Sequence, residues 1–253
     1  MINWPQETGL ARQRISSYLL QTPLEYADSL SRETGAEVYL KLEMLQLTGS
    51  FKLRGAANKL LSLSSSDLRH GVITASTGNH GAGVLHIARQ LGVAVRVFLP
   101  KTASPAKVER LRDLGASIVQ VGEDSLDSEQ EARSAAEAEG IPFISPYNDL
   151  DIIAGQGTMT LEIMEQLPDL DALFVPVGGG GLIAGAGAAL AGHDRKVALI
   201  GCQPANSAIM RASVEAGEIL DLPSFPTLSD GTAGGLEPGS ITFPLCQQWV
   251  DEF

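Results

Sequence analysis

One lysine, Lys52, lies where its amine could form a covalent bond with a carbonyl carbon. It follows Gly49-Ser50-Phe51 and begins a segment, 52–63, whose apolar residues recur at helical spacing. The first turn of a helix carries unpaired backbone amides, whose partial positive charge disfavours an ammonium group. We therefore expect a lowered pKa for this amine, which suits Schiff-base chemistry. The alternative is an ordinary exposed lysine.

A second segment, Thr74-Ala75-Ser76-Thr77-Gly78-Asn79-His80-Gly81, lies where a buried strand passes into a helix. Free amides and small hydroxyl groups converge at such a junction and can bind a carboxylate or a phosphate. Asn79 adds an amide donor and His80 adds a titratable one. The alternatives are an ordinary Ser/Thr helix cap with a turn glycine, and a core histidine bonded to backbone.

A third segment places four consecutive glycines, Gly178 to Gly181, between a buried strand and a helix. Their amides are not shielded by side chains and can surround a phosphate. The pattern is not a Walker A loop, because no Lys-Ser/Thr pair follows. It is not a clean dinucleotide fingerprint either, because Cys202-Gln203 stands where an acidic residue is required. A flexible linker is the alternative, but the apolar residues on both sides argue against it.

An amine, an anion site and a phosphate cradle together fit a phosphorylated aldehyde. Pyridoxal 5′-phosphate meets all three requirements. A lysine would bind its aldehyde, glycines its phosphate, and Ser, Asn or His its ring oxygen and the substrate carboxylate.

Composition narrows the class of protein. The 253 residues have a net charge of −12, which argues against nucleic acid and anionic membrane surfaces as partners. Two cysteines, Cys202 and Cys246, provide neither a disulfide framework nor a metal-binding spacing, and no secretion signal precedes them. We expect a cytoplasmic protein without a metal site.

Strand and helix patterns alternate along the chain, which predicts an α/β fold with parallel sheets. The predicted strands are 37–43, 71–75, 93–99, 118–121, 141–144, 172–177 and 196–202. The predicted helices are 11–20, 52–63, 78–91, one from Pro105, 128–139, 155–167, one after Gly181, and 205–215. The strands from 71 to 144 could form one compact sheet. We expect two doubly wound parallel-sheet domains: a large domain from 1–66 and 149–253, and a small domain from 67–148.

Four motifs occur in an order that resembles a known family. Ser-Phe-Lys-Leu-Arg-Gly-Ala, Ser-Thr-Gly-Asn-His-Gly, Gly-Gln-Gly-Thr and Gly-Gly-Gly-Gly resemble the fold type II pyridoxal-phosphate enzymes, which are tryptophan synthase β-like in fold. Within them, the chain is similar to the threonine/serine dehydratase and serine racemase group from about Thr22 onward. Ser-Pro-Tyr-Asn-Asp and Asp-Gly-Thr-Ala-Gly-Gly further resemble the hydroxyectoine-utilisation dehydratases.

The resemblance implies a role for each matching residue. Lys52 would hold the cofactor, with Phe51 bordering its ring and Asn79 bonding its phenolic oxygen. Gly178, Gly179, Gly180 and Gly181 would bind the phosphate, and Gly231 would lie near the ring. The substrate carboxylate would be received by the segment Ser76, Thr77, Gly78, Asn79 and His80.

The resemblance implies β-elimination from a threonine- or serine-like β-hydroxy amino acid, giving a 2-keto acid and ammonia. Lys52 and Thr77 would be the catalytic residues. Racemases of this group place a serine at the position of Thr77, so racemisation stays an alternative, as do β-replacement and a non-catalytic fragment of the fold. The group usually forms homodimers.

Two departures from the group give further expectations. Gln203 and Ile209 replace carboxylates of relatives that bind a divalent cation, so we expect no metal. Relatives also carry a Ser or Cys, followed by glycines, as partner of the pyridine nitrogen. No such element follows Phe253, so we expect that a C-terminal piece is missing.

Overall fold

The computed structural model describes residues 2–194 and 196–253, and within them helices and strands alternate over most of the chain. The helices are α1 Trp4–Ile15, α2 Asp28–Thr34, α3 Lys52–Ser62, α4 Asn79–Leu91, α5 Pro105–Asp113, α6 Ser125–Glu139, α7 Leu150–Gln166, α8 Gly181–Leu190, α9 Ile209–Ala216 and α10 Thr242–Trp249. The strands are β1 Leu24–Tyr26, β2 Tyr39–Lys41, β3 Val72–Ala75, β4 Val95–Leu99, β5 Ser117–Gln120, β6 Phe143–Ile144, β7 Ala172–Pro176 and β8 Ala198–Cys202.

The predicted compact sheet is confirmed. Strands β5-β4-β3-β6 pair in that order, all parallel, with β6 at an edge. Strands β7 and β8 form a second, parallel pair. A third pair, β1 with β2, is antiparallel and was not predicted. The fold is α/β with parallel sheets, as the sequence indicated.

Two main apolar cores accompany these sheets. One gathers buried residues of α3, α4, β3 and β4, including Leu53, Leu60 and Ile87. The other lies around β7, β8 and α8, and includes Val175 and Ile183. Helix α7 connects the two regions, because it packs against both α3 and α8.

The predicted start of helix 155–167 is wrong. Helix α7 begins at Leu150, where the carboxylate of Asp149 accepts hydrogen bonds from the amides of Asp151 and Ile152. Gly155 therefore lies inside the helix. A Cβ there would lie 2.7 Å from the Cα of Gly55, so glycine permits the close approach of α3 and α7.

Other predicted boundaries shift for local reasons. The strand predicted at 37–43 shortens to Tyr39–Lys41, because Glu43 begins a 3-10 turn and directs its carboxylate towards Arg54. The first helix begins at Trp4, capped by Asn3, and ends at Ile15. The helix predicted at 205–215 divides into a 3-10 turn and α9. Within the described ranges, every helix is too short or too polar to cross a membrane.

Candidate active site

Lys52 is the first residue of helix α3, as predicted. Phe51 caps the helix, and its ring centre lies 5.4 Å from the Lys52 Nζ. The Lys52 amide donates to the Ser50 hydroxyl over 3.4 Å, which fixes the turn into the helix. The predicted position of the amine is therefore confirmed.

The Lys52 amine is partly buried and donates a hydrogen bond to the Pro146 carbonyl over 2.7 Å. Burial lowers the pKa of this amine to about 8, and the nearby charge of Glu129 opposes the shift. The predicted direction is confirmed, but desolvation is the main cause and the helix terminus is not needed to explain it. No carboxylate in the described part of the chain forms an ion pair with Nζ.

The second turn of α4 lies against the first turn of α3. A Cβ on Gly83 would lie 3.2 Å from the Leu53 Cα, so the two backbones meet beside Lys52. Before α4, Ser76 and Thr77 are partly buried and Asn79 is exposed. The Ser76 hydroxyl accepts a hydrogen bond from the Gly78 amide over 3.2 Å. The 76–80 segment is thus placed next to the lysine.

His80 points into the interior. It is 2 % exposed, its Nε2 lies 3.0 Å from the Ile144 carbonyl, and its Nδ1 has no partner among the described residues. Burial, with the charge of Lys52, lowers the pKa of this imidazole to about 3, so the ring is neutral. Since Nε2–H donates to Ile144, Nδ1 is an acceptor. The ring geometry matches the core-histidine alternative, and in this conformation only the His80 backbone amide can serve a carboxylate.

The 144–147 segment joins the three predicted groups. Ile144 contacts His80 and Pro146 contacts Lys52 through their carbonyl groups. The ring of Tyr147 lies under the glycines, because a Cβ on Gly179 would lie 2.5 Å from its Cγ. Sequence reasoning used this segment only for a resemblance, although it connects the whole site.

The four glycines turn tightly into α8. Gly180 has φ +85°, in the left-handed region that favours glycine. A Cβ at any of the four would come within 3.2 Å of another residue: Thr232 for Gly178, Tyr147 for Gly179 and Gly181, and Met210 for Gly180. The Thr242 hydroxyl donates to the Gly179 carbonyl over 2.6 Å.

The amides of this turn are free to bind an anion. Within 2–194 and 196–253, no acceptor is paired with the amides of Gly178, Gly179 or Gly180. They precede the amino terminus of a ten-residue helix, where anions are favoured. The exposed Gly231 lies in the 3-10 turn Asp230–Thr232, which packs against Gly178 through Thr232.

Two buried carboxylates on either side of Arg133 were missed from the sequence. Glu129 of α6 and Glu237 are each 8 % exposed. The Arg133 Nη2 lies 2.7 Å from the Glu237 Oε2 and 3.7 Å from the Glu129 Oε1. The Tyr147 hydroxyl accepts from the Glu237 amide over 3.0 Å, and burial raises the pKa of that hydroxyl. The sequence of this Ala- and Glu-rich helix does not show which of its glutamates faces the interior.

A buried ionic network holds the helix that carries Lys52. Arg54 is fully buried and donates to the carboxylates of Glu43 and Glu162 through two edges of its guanidinium, at 2.6–2.9 Å. The Lys41 amine joins the network through Glu162 over 2.7 Å. The network links β2, α3 and α7, and so fixes the position of α3.

Comparison with known proteins identifies the family of the chain. Residues 15–253 match the family model described as "Pyridoxal-phosphate dependent enzyme". The chain is 42 % identical over 242 residues to an L-threonine ammonia-lyase of Thermotoga maritima, covering 96 % of this chain and 60 % of that protein. It is 40 % identical to the catabolic L-threonine dehydratase TdcB of Escherichia coli K12, covering 96 % and 73 %. A solved maize serine racemase superposes with a TM-score of 0.91 at 32 % identity, covering 98 % and 75 %.

Proposed function

Because the chain belongs to the family of pyridoxal-phosphate dependent enzymes, we propose that it acts as an ammonia-lyase on a β-hydroxy amino acid. The reaction would be a β-elimination that yields a 2-keto acid and ammonia from a threonine- or serine-like substrate. The observation that carries this proposal is that neighbouring residues hold both groups: Pro146 accepts from the Lys52 amine, and Tyr147 packs against the glycine turn with free amides. The similarity to an L-threonine ammonia-lyase and to a catabolic L-threonine dehydratase supports it.

The residues present fit the family's cofactor, pyridoxal 5′-phosphate. Lys52 offers an amine with a lowered pKa and no carboxylate partner among the described residues. The turn from Gly178 to Gly181 offers amides that no side chain can cover, since a Cβ would collide with its neighbours. We assign the aldehyde to Lys52, the phosphate to this turn, the phenolic oxygen to Asn79, and the ring's surroundings to Phe51 and Gly231.

Lys52 would act as the base that removes the substrate Cα proton. When bound, the cofactor supplies the electron sink that makes this proton acidic. A lysine with a pKa of about 8 suits the task, because a substantial fraction of the amine is neutral at physiological pH. The Pro146 carbonyl, 2.7 Å from Nζ, would orient the amine.

The segment before α4 would bind the substrate carboxylate. We assign this role to the hydroxyls of Ser76 and Thr77, to Gly78, and to the first amides of α4, those of Asn79 and His80. These amides lie at the amino terminus of a thirteen-residue helix, where a carboxylate is favoured. The His80 imidazole would instead hold the segment against Ile144.

Racemisation is the second candidate, and Thr77 is the residue that favours it. Its hydroxyl could return a proton to Cα on the face opposite Lys52, and the chain superposes well on maize serine racemase. The Thr77 methyl would hinder that transfer. The two reactions are separated by incubating the protein with L-serine and measuring both the D-serine formed and the keto acid released. A racemase produces D-serine faster than pyruvate.

We further propose that the chain forms a small domain from residues 67–148 and a large domain from 1–66 and 149–253. We also propose that the protein is a homodimer and lies in the cytoplasm. All strands of the four-stranded sheet fall within 67–148, which supports the division. The partner we propose is a small amino acid, and the net charge of −12 argues against nucleic acid and anionic membrane surfaces. Sedimentation velocity would test the dimer.

Replacement of the lysine tests the function. Lys52→Ala should abolish both the visible absorbance of the bound cofactor and keto-acid release from threonine. Lys101→Ala, at an exposed lysine 3.8 Å from Glu123, is the matched control and should retain both. Keto-acid release by Lys52→Ala at the wild-type rate would overturn the assignment.

A further inference from the structure

Tyr147 lies between the two groups that the cofactor would have to reach at once. The residue before it, Pro146, accepts a hydrogen bond from the Lys52 Nζ over 2.7 Å. The Tyr147 side chain is 8 % exposed and packs against the glycine turn. The lysine begins α3 and the glycine turn follows β7, so the dipeptide Pro146-Tyr147 connects two parts of the site that are distant in sequence.

The face of the Tyr147 ring supports the glycine turn. A Cβ on Gly179 would lie 2.5 Å from the Tyr147 Cγ and 2.6 and 2.7 Å from its two Cδ atoms, so the Gly179 backbone lies over the ring. A Cβ on Gly181 would lie 3.0 Å from the Tyr147 Cα. Two of the four glycines therefore rest on this one residue. Because protein interiors are closely packed, a displacement of the ring would displace the turn.

Hydrogen bonds fix Tyr147 at both ends. Its hydroxyl accepts from the Glu237 amide over 3.0 Å, and the Glu237 carboxylate accepts from the Arg133 Nη2 at 2.7 and 3.0 Å. At the backbone, the Ser145 hydroxyl accepts from the amides of Tyr147 and Asn148 at 3.4 and 3.0 Å. The ring is thus anchored at its hydroxyl and at its main chain, which restricts its tilt.

The chemistry of the cofactor makes the spacing of its two binding groups important. Pyridoxal phosphate carries its aldehyde and its phosphate arm on adjacent carbons of one aromatic ring, so their separation varies little. A protein that holds an amine and a set of amides at the matching separation gains from both contacts at once, whereas a mismatched pair gains from only one. An aromatic residue that only filled the core would not affect this combined gain.

We propose that Tyr147 is a positioning residue that sets the separation between the Lys52 amine and the amides of the glycine turn. This inference rests on the function proposed above and deepens it. Tyr147 acts on the lysine through Pro146 and on the turn through Gly179. Its hydrogen bond with the Glu237 amide keeps the ring at the required tilt.

Three ligands distinguish the separation from each single contact. Pyridoxal, which lacks the phosphate, measures binding to the lysine alone, and inorganic phosphate measures binding to the glycine turn alone. Pyridoxal phosphate needs both at the correct separation. Binding of the two aldehydes to the cofactor-free protein is followed by visible absorbance, and binding of phosphate by phosphorus nuclear magnetic resonance.

Two variants of Tyr147 change the ring and its anchor separately. Tyr147→Leu removes the ring face and should weaken binding of pyridoxal phosphate at least about tenfold, while binding of pyridoxal and of phosphate each changes by less than about twofold. Tyr147→Phe keeps the ring and loses only the hydroxyl, so we expect a loss of about threefold that is confined to pyridoxal phosphate. Tyr26→Leu and Tyr26→Phe, at an exposed tyrosine whose ring contacts Tyr39, are the matched controls and should bind all three ligands as the wild type does.

The pattern of losses decides whether Tyr147 positions the two groups. Unchanged binding of pyridoxal phosphate in both Tyr147 variants would overturn the positioning role, while the proposed function stands. An equal loss for pyridoxal phosphate and for either single ligand would overturn it too. Circular dichroism monitors folding, and Tyr147→Phe decides the question if Tyr147→Leu does not fold. A wild-type protein that develops no visible absorbance with pyridoxal phosphate and releases no keto acid would overturn the proposed function, and the positioning role with it.

Discussion

Arg54→Met should destabilise the protein strongly, because Arg54 neutralises two carboxylates in the interior. The guanidinium is fully buried and makes four hydrogen bonds with the carboxylates of Glu43 and Glu162, whose side chains are 10 % and 12 % exposed. Methionine keeps much of the side-chain volume but leaves both carboxylates without their main cation. Removal of one partner from a buried ionic network costs about 3–5 kcal/mol.

Urea unfolding at constant m-value measures this loss. Arg12→Met is the matched control, since Arg12 pairs with Glu165 at the surface, where their side chains are 40 % and 52 % exposed. It should cost about 1 kcal/mol or less. Adding Glu43→Gln and Glu162→Gln to Arg54→Met should recover part of the loss, because the uncompensated charges disappear. A loss below about 1 kcal/mol for Arg54→Met would refute the reasoning.

Three further predictions concern the site and its frame. Gly179→Ala should weaken binding of the cofactor by at least about tenfold, measured by equilibrium dialysis, because its Cβ would lie 2.5 Å from the Tyr147 ring; unchanged affinity would contradict the cradle. Gly155→Ala should lower the free energy of unfolding in urea by about 1–3 kcal/mol, because its Cβ would collide with α3. Gly9→Ala is the control and should cost little, because there is open space around Gly9; equal losses for the two variants would contradict the close packing of α3 and α7. The rate at which Lys52 of the cofactor-free protein captures pyridoxal phosphate should rise with pH through about 8; a midpoint near the ordinary value of about 10.4 would show that the amine is not desolvated.

The sequence predicted the alternation of strands and helices well, since apolar periodicity depends on local pattern. The parallel four-stranded sheet and the start of α3 at Lys52 both follow from it. The start of α7 did not, because the Gly155-Gln156-Gly157 run suggests a loop when read alone. Those glycines instead serve contacts with α3 and α8, which are distant in sequence.

The candidate site could be predicted where its groups lie at the starts of helices. Lys52 and the glycines at 178–181 are examples, because glycine excess and helix position are visible in the sequence. Glu129 could not be predicted, since whether a helical glutamate faces inward depends on tertiary packing. The orientation of His80 towards Ile144 could not be predicted either, because a histidine in this motif can bind an anion or bond to backbone in the core.

Identification of the modified lysine tests the central claim most directly. The protein is loaded with pyridoxal phosphate, reduced with borohydride to fix the bond, digested, and analysed by mass spectrometry. We predict a single major modification, on Lys52, and its loss in Lys52→Ala without transfer to another lysine. Stoichiometric modification of a different lysine, or of none, would contradict the assignment of Lys52 as the residue that binds the cofactor.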